Sequence, residues 1–136
     1  MTMNPPAARA QAILLLAHGA RDPQWAEPFR AVAAQVAQGR PDASVHLAFL
    51  EFMAPALPEA AEQALAEGAT DLHVVPLFLG TGGHVRKDVP PMLEALRAAH
   101  PGATLTLHPA IGATPAVISA MAGAALACAS AVPAGG

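Results

Sequence analysis

The chain has 136 residues, of which 54% are hydrophobic and 12% are charged, and its formal net charge at pH 7 is -3. This length fits one domain built around a single core. Seven Lys and Arg residues against ten Asp and Glu residues leave no basic surface of the kind that binds nucleic acid, so that class of partner is excluded. The charged share is below the roughly 25% of average soluble domains, so we expect a partner subunit to cover part of the apolar surface.

Neither of the two apolar segments near the chain ends fits a targeting or membrane signal. The segment at 12–17, behind Arg9, has six apolar residues, fewer than the about 7 to 15 of a signal peptide. The uncharged part after His108 is interrupted by Pro115 and Pro133 and lacks basic flanks, which favours a soluble helix over a membrane span. We therefore expect a cytoplasmic protein with no membrane partner. Its expected parts are a flexible leader at 1–10, a single domain at 11–130 and a flexible tail at 131–136.

Apolar runs alternate along the chain with segments of helical periodicity, which predicts four β–α units. The predicted strands cover residues 12–17, 44–50, 71–79 and 103–107. The predicted helices cover residues 25–38, 56–67, 89–99 and 115–129. Continuous apolar strands are typical of parallel sheets that are buried on both faces. The alternation predicts an α/β fold, a three-layer sandwich around a four-stranded parallel sheet with right-handed crossovers.

The stretch at 74–90, VVPLFLGTGGHVRKDVP, is the most informative part of the sequence. An apolar strand ends in a glycine-rich turn, where Gly82 and Gly83 allow the backbone to approach a ligand closely. Asp88 is predicted to cap a helix whose first turn contains the following prolines. His84 is therefore predicted to lie in an open loop at the carboxyl edge of the sheet, the usual ligand position in open α/β folds.

Three of the predicted strands are followed by side chains that can bind metal, namely His18, Glu51 and His84. The carboxyl ends of parallel strands share one edge, so these residues can converge in space. Two imidazoles and a carboxylate leave coordination positions open on a divalent ion, as catalytic metal sites do. Two residues of this set also have interpretations that involve no metal. Glu51 could be an exposed turn carboxylate, and His84 could be a solvated loop residue.

The remaining histidines are predicted to have structural roles. His46 and His73 lie in predicted strands, and His108 follows the fourth strand. His100 ends a predicted helix, where a cation suits the helix dipole.

Three segments, LLLAHGARDPQW, VHLAFLEFMAPALPEA and VVPLFLGTGGHVRKDVPPML, resemble the short sirohydrochlorin chelatases of the CbiX/SirB family. The resemblance extends over residues 13–125 and implies a chelatase-type α/β fold. It also implies a lyase that inserts a divalent metal, Co²⁺, Fe²⁺ or Ni²⁺, into sirohydrochlorin on the way to cobalamin or sirohaem, without an organic cofactor. The family's metal-binding positions match His18, Glu51 and His84. One departure is Ala20, which stands where the family often has serine.

This chemistry requires a site that holds a metal ion, releases it and accepts two pyrrole protons. Neutral imidazole can perform both tasks, so His18 and His84 are expected to hold the ion and one of them to act as base. The expected contacts to the tetrapyrrole come from Arg21, Arg86 and Lys87, which would pair with its carboxylates, and from Gly82 and Gly83. A simpler interpretation of Arg21, Arg86 and Lys87 is that they are ordinary charged surface residues.

Longer chelatases look like two such domains fused in one chain, which implies a homodimer with a cleft between two strand-end edges. A different chain as the partner is left open by the sequence. A wide macrocycle against one wall would leave its far side in water. Two other functions remain open from the residues alone: a metal-dependent hydrolase on the same scaffold, and a metal or tetrapyrrole carrier without turnover.

Overall fold

The computed structural model describes the backbone of residues 9–80 and 83–130, and the side chains of these residues except 83–86. Its four strands form one parallel sheet in the order β2-β1-β3-β4. The strands are β1 Gln11–Ala17, β2 Ser44–Phe49, β3 Asp71–Pro76 and β4 Thr104–Leu107. The helices are α1 Glu27–Gly39, α2 Leu57–Ala66, α3 Gly83–Ala99 and α4 Pro115–Ser130, with short 3-10 helices at Pro23–Ala26 and Ile111–Ala113. The predicted four-stranded parallel α/β fold is confirmed.

Side chains alternate across the sheet and build a separate core on each face. On one face, Leu14 and Leu16 of β1 are fully buried with Leu72 of β3 beneath α2 and α3. On the opposite face, Ala17 and Phe49 pack with residues at the start of α1. The first core is the larger one, and at about 1.5–3 kcal/mol for each fully buried large apolar side chain it supplies most of the hydrophobic stabilisation.

The last helix, α4, stands apart from these layers. It packs mainly against the 3-10 helix Ile111–Ala113, and its side chains are exposed almost throughout. Its larger apolar residues Ile118, Met121 and Leu126 are 56%, 51% and 67% exposed. Because no described helix lies over β3 and β4 on the α1 side, residues such as Val75 are only half-buried there.

The predicted start of the third helix is wrong. The structure begins α3 at Gly83, so His84 lies in the first helical turn and not in an open loop, and Asp88 lies inside the helix and does not cap it. Pro90 and Pro91 are exposed within this helix, where each removes one N–H from the helical ladder. Burial of apolar side chains further along α3 anchors the helix despite that loss, so packing outweighs the usual preference of proline for a first turn.

The third strand is also shorter than predicted, because β3 ends at Pro76 and not at residue 79. The first predicted helix is divided, since the side chain of Asp22 accepts a hydrogen bond from the Gln24 N–H and starts a 3-10 turn ahead of α1. Among the described residues, the structure has no helix that combines the length and apolar character needed to cross a membrane.

Candidate functional site

The strand order sets the carboxyl ends of β1 and β3 side by side. The chain leaves β1 toward α1 on one face and leaves β3 toward α3 on the other, which makes this edge a topological switch point, where open α/β folds bind ligands. Backbone hydrogen bonds extend the pairing beyond the strands. The Leu50 N–H donates to the Ala17 carbonyl at 3.0 Å, and the Leu77 N–H donates to the Leu16 carbonyl at 2.8 Å.

His18 and Glu51 are adjacent at this edge. The Glu51 N–H donates to the His18 carbonyl at 3.0 Å, and both side chains are exposed. Gly19 follows His18 with φ +95°, and a Cβ built there would lie 1.8 Å from the Glu51 carbonyl oxygen. Only glycine permits both that φ and that approach. The local sequence therefore brings two of the three predicted ligands together, while metal binding by them stays a prediction.

The turn after Glu51 has a strained backbone. The Met53 N–H donates to the Glu51 carbonyl at 2.8 Å, and the intervening Phe52 has φ +67°. A γ-turn with its central residue in the left-handed region is rare and costs about 1–3 kcal/mol for a bulky residue. The turn presents the Phe52 ring to solvent at 58% exposure, with the Arg21 guanidinium carbon 5.0 Å from the ring centroid. The turn thus exposes an aromatic face directly after Glu51, with a cation over the ring.

The imidazole of His18 rests on a buried aromatic ring. Its centroid lies 4.3 Å from that of Phe78 at an interplanar angle of 33°, and Phe78 is 2% exposed. The loop that carries Phe78 is held by Gly112, whose N–H donates to the Phe78 carbonyl at 2.8 Å. The two backbones are so close that a Cβ on Gly112 would lie 2.3 Å from the Leu79 Cα. The imidazole is therefore oriented on one side and open to solvent on the other.

His84, the third predicted ligand, is placed by its backbone only, in the first turn of α3. Its side chain and that of Arg86 lie outside the described residues, as does Gly82, and of Gly83 the structure gives only the backbone. Lys87 is exposed on the same helix. Among the side chains that the structure describes, no three from His, Cys, Asp and Glu are grouped closely enough to hold a metal ion. The three-residue ligand set therefore stays a prediction.

Sequence reasoning missed two exposed apolar residues at this edge. Phe52 follows β2 and Leu79 follows β3, so they flank the residues that follow β1. Leu79 was predicted to lie within the third strand, but it is 69% exposed because the strand ends three residues earlier. A large apolar residue beside a glycine or proline turn at a strand end is the sequence signal that could have identified both.

Two of the other histidines have local partners, in keeping with structural roles. His46 lies 3.3 Å from the Ser44 hydroxyl, and His100 lies 2.6 Å from a Glu62 oxygen.

A family model described as CbiX matches residues 12–125. A sirohydrochlorin cobaltochelatase of Methanococcus aeolicus is 34% identical over 83 residues, which are 61% of this chain and 58% of the relative. A protein of the same name from Saccharolobus solfataricus is 39% identical over 83 residues, 60% of this chain and 62% of the relative. The matches to these curated relatives thus span about three fifths of their lengths.

Solved structures of similar proteins match more of this chain than the curated relatives do. A CbiX protein of Marinobacter aquaeolei, provisionally assigned to cobalamin (vitamin B12) biosynthesis, is 37% identical with a TM-score of 0.74, and the match covers 85% of this chain and 94% of that one. The sirohydrochlorin chelatase SirB of Bacillus subtilis in complex with cobalt is 28% identical with a TM-score of 0.61, covering 73% of this chain and 43% of that one.

Proposed function

This chain belongs to the CbiX family, and we propose that it is a chelatase that inserts Co²⁺ or Fe²⁺ into sirohydrochlorin. The observation that carries the proposal is the adjacency of His18 and Glu51 at the switch point of the sheet. The names of the similar proteins support it: two are sirohydrochlorin cobaltochelatases, and SirB structures contain cobalt and Fe³⁺.

We assign the metal ion, as a substrate, to His18, Glu51 and His84. Imidazole and carboxylate suit divalent transition ions, and a three-ligand set leaves positions at which the macrocycle nitrogens can replace water. Two pyrrole protons leave as the ion enters. An imidazole of this set, free of metal or released from it, accepts one of these protons, since a histidine can serve as both ligand and base near neutral pH, and the other proton passes to solvent water.

The tetrapyrrole is assigned to the rim around His18. Phe52 and Leu79 offer exposed apolar surface on either side of the strand that ends at His18, which suits the face of a large conjugated ring. Arg21 is exposed beside Phe52 and would pair with a peripheral carboxylate. We assign the same role to Arg86 and Lys87, and backbone contacts to Gly82 and Gly83.

The working unit is proposed to be a homodimer. Residues 115–130 include no charged side chain, and the apolar residues of α4 are exposed in the single chain. An exposed apolar surface of this kind is most simply covered by a second copy, and a twofold partner is the commonest arrangement. The proposal includes a cytoplasmic location, since a lone Cys128 gives no disulfide framework of the secreted kind.

A turnover assay tests the proposed reaction. Sirohydrochlorin is mixed with Co²⁺ or Fe²⁺ and a tenfold smaller amount of protein, and the change in visible absorbance of the macrocycle is followed. We expect many turnovers per chain at a rate well above that without protein. Binding of one macrocycle per chain without turnover would indicate a carrier, and neither binding nor acceleration would contradict the proposal.

A further inference from the structure

Two histidines and an aspartate form a hydrogen-bonded chain on the open side of β3 and β4. His73 Nδ1 lies 2.9 Å from His108 Nε2, and His73 Nε2 lies 3.1 Å from Asp71 Oδ2. Asp71 and His73 are two residues apart on β3 and therefore share a face. The backbone N–H of His108 donates to the Val74 carbonyl at 2.9 Å, which holds the His108 backbone beside β3.

The hydrogen-bonded side chains of Asp71, His73 and His108 are accessible to solvent. Neighbouring residues of β3 with the opposite orientation, Leu72 and Val74, are fully buried under α2 and α3. The side chains of His73 and Asp71 are 29% and 36% exposed, because no described helix covers this half of the sheet. A small ion can therefore reach the two rings without any opening of the fold.

The tautomer of His73 follows from its partners. Hydrogen bonds from the Gln11 amide and then from His73 hold the pKa of Asp71 below its ordinary value, so Asp71 is a carboxylate near neutral pH and only accepts. His73 Nε2 must then carry the proton, which leaves a lone pair on Nδ1 that points at His108. In the free protein His108 Nε2 donates to that lone pair. Transfer of this proton to His108 Nδ1 leaves two lone pairs facing each other, with no net loss of a proton.

We propose that His73 and His108 form a second metal site, in which both imidazoles bind one divalent transition ion such as Co²⁺ or Ni²⁺. A histidine ligand whose other nitrogen donates to a carboxylate is the usual arrangement around protein metals, and Asp71 acts here as the positioning residue. Metal–nitrogen bonds of about 2.0–2.1 Å in a tetrahedral site separate two nitrogens by about 3.3 Å. The observed 2.9 Å requires a small opening of the pair and a rotation of both rings, because the lone pairs that face each other must turn toward the ion.

The ion at this pair is distinct from the one assigned to the strand-end edge. His73 is aligned with Ile13 across the sheet, and His18 lies five residues further along the chain, which corresponds to about 16 Å of strand. Since no third described His, Cys, Asp or Glu joins the pair, water fills the other positions and the ion exchanges readily. The inference does not depend on the proposed chelatase reaction, because it concerns metal binding without a tetrapyrrole.

Titration of the full chain with Co²⁺ alone, followed by calorimetry and by the visible absorbance of the bound ion, tests the second site. The parent is His18→Ala, which lacks one ligand of the strand-end edge. We expect it to bind Co²⁺, and the addition of His73→Gln or His108→Gln to remove one ion per chain. Glutamine keeps a hydrogen-bonding side chain but is a poor ligand for Co²⁺, and circular dichroism checks that each variant is folded.

The matched control is His46→Gln in the same parent, which changes a half-buried strand histidine and should leave the Co²⁺ stoichiometry intact. Asp71→Asn should weaken Co²⁺ binding by about 10- to 100-fold without removing the site. Unchanged stoichiometry in folded His73→Gln and His108→Gln, or no Co²⁺ binding by the parent, would overturn the proposal. Both results are independent of turnover, so an inactive protein would still answer the question.

Discussion

Gly19 and Glu51 are in direct contact through their backbones, since a Cβ on Gly19 would lie 1.8 Å from the Glu51 carbonyl oxygen. Gly19→Ala must displace the Glu51 turn and also forces alanine into φ +95°. We expect a loss of about 2–4 kcal/mol in the free energy of unfolding and a lower rate of metal insertion in the folded fraction. Urea unfolding and the absorbance assay provide the two readouts.

Gly39→Ala is the matched control, because a Cβ there meets no other atom within 4 Å and Gly39 ends α1. It should stabilise the protein by up to about 1 kcal/mol. If Gly19→Ala were as stable and active as Gly39→Ala, the close approach would have no role.

Phe52→Gly separates substrate binding from folding. Glycine favours the positive φ of 67°, so the variant should be at least as stable as the wild-type protein. Loss of the exposed ring should raise the KM for sirohydrochlorin by about threefold to tenfold and change kcat less, because the proposed contact with the ring is the same in the ground state and in the transition state. Val32→Gly, an exposed valine of α1 at 39%, serves as control for KM. An unchanged KM in Phe52→Gly would remove the ring from the substrate site.

Asp42 supplies a prediction on pH. The side-chain hydrogen bond from Arg40 at 2.9 Å holds the pKa of Asp42 below its ordinary value. A carboxyl whose pKa is lower in the folded state stabilises the fold above its unfolded pKa of about 3.9, and the contribution disappears as pH falls through the folded pKa. Asp42→Asn should therefore lower the free energy of unfolding slightly at pH 7, less in high salt, and progressively less as the pH falls below about 3.9. A loss that stayed the same at every pH would show that the charge of Asp42 does not stabilise the fold.

The sequence predicts features that depend on neighbouring residues, and it does not predict features that depend on contacts between residues far apart in the chain. Strand positions followed from local apolar runs, and the paired placement of His18 and Glu51 at one edge followed from the parallel topology. The start of α3 could not be predicted from the local sequence, because tertiary burial of apolar residues in that helix outweighs the local preference of Pro90 for a first turn. The contact of Gly19 with Glu51 joins two loops that are distant in sequence, and the left-handed φ of Phe52 has no signal in its own side chain.

The apolar surface of α4 predicts the oligomeric state. Sedimentation at micromolar concentration should give about twice the 13.7 kDa mass of one chain. Leu126→Glu changes a residue that is 67% exposed in the single chain, so it should leave the fold intact and yield a monomer. Val32→Glu, at an exposed position of α1, should leave the dimer unchanged. A wild-type protein that is monomeric and fully active at assay concentration would exclude the proposed cleft.

The most direct test of the proposed site is the initial rate of Co²⁺ insertion into sirohydrochlorin at limiting metal by His18→Ala. Removal of an exposed imidazole held beside Glu51 takes away a proposed metal ligand and a proposed proton acceptor, so the rate should fall by about 100-fold or more. Glu51→Gln should also be impaired, while His100→Ala, whose partner is Glu62, should retain the wild-type rate. A His18→Ala variant that is folded and turns over at the wild-type rate would contradict the assignment of metal insertion to this edge of the sheet.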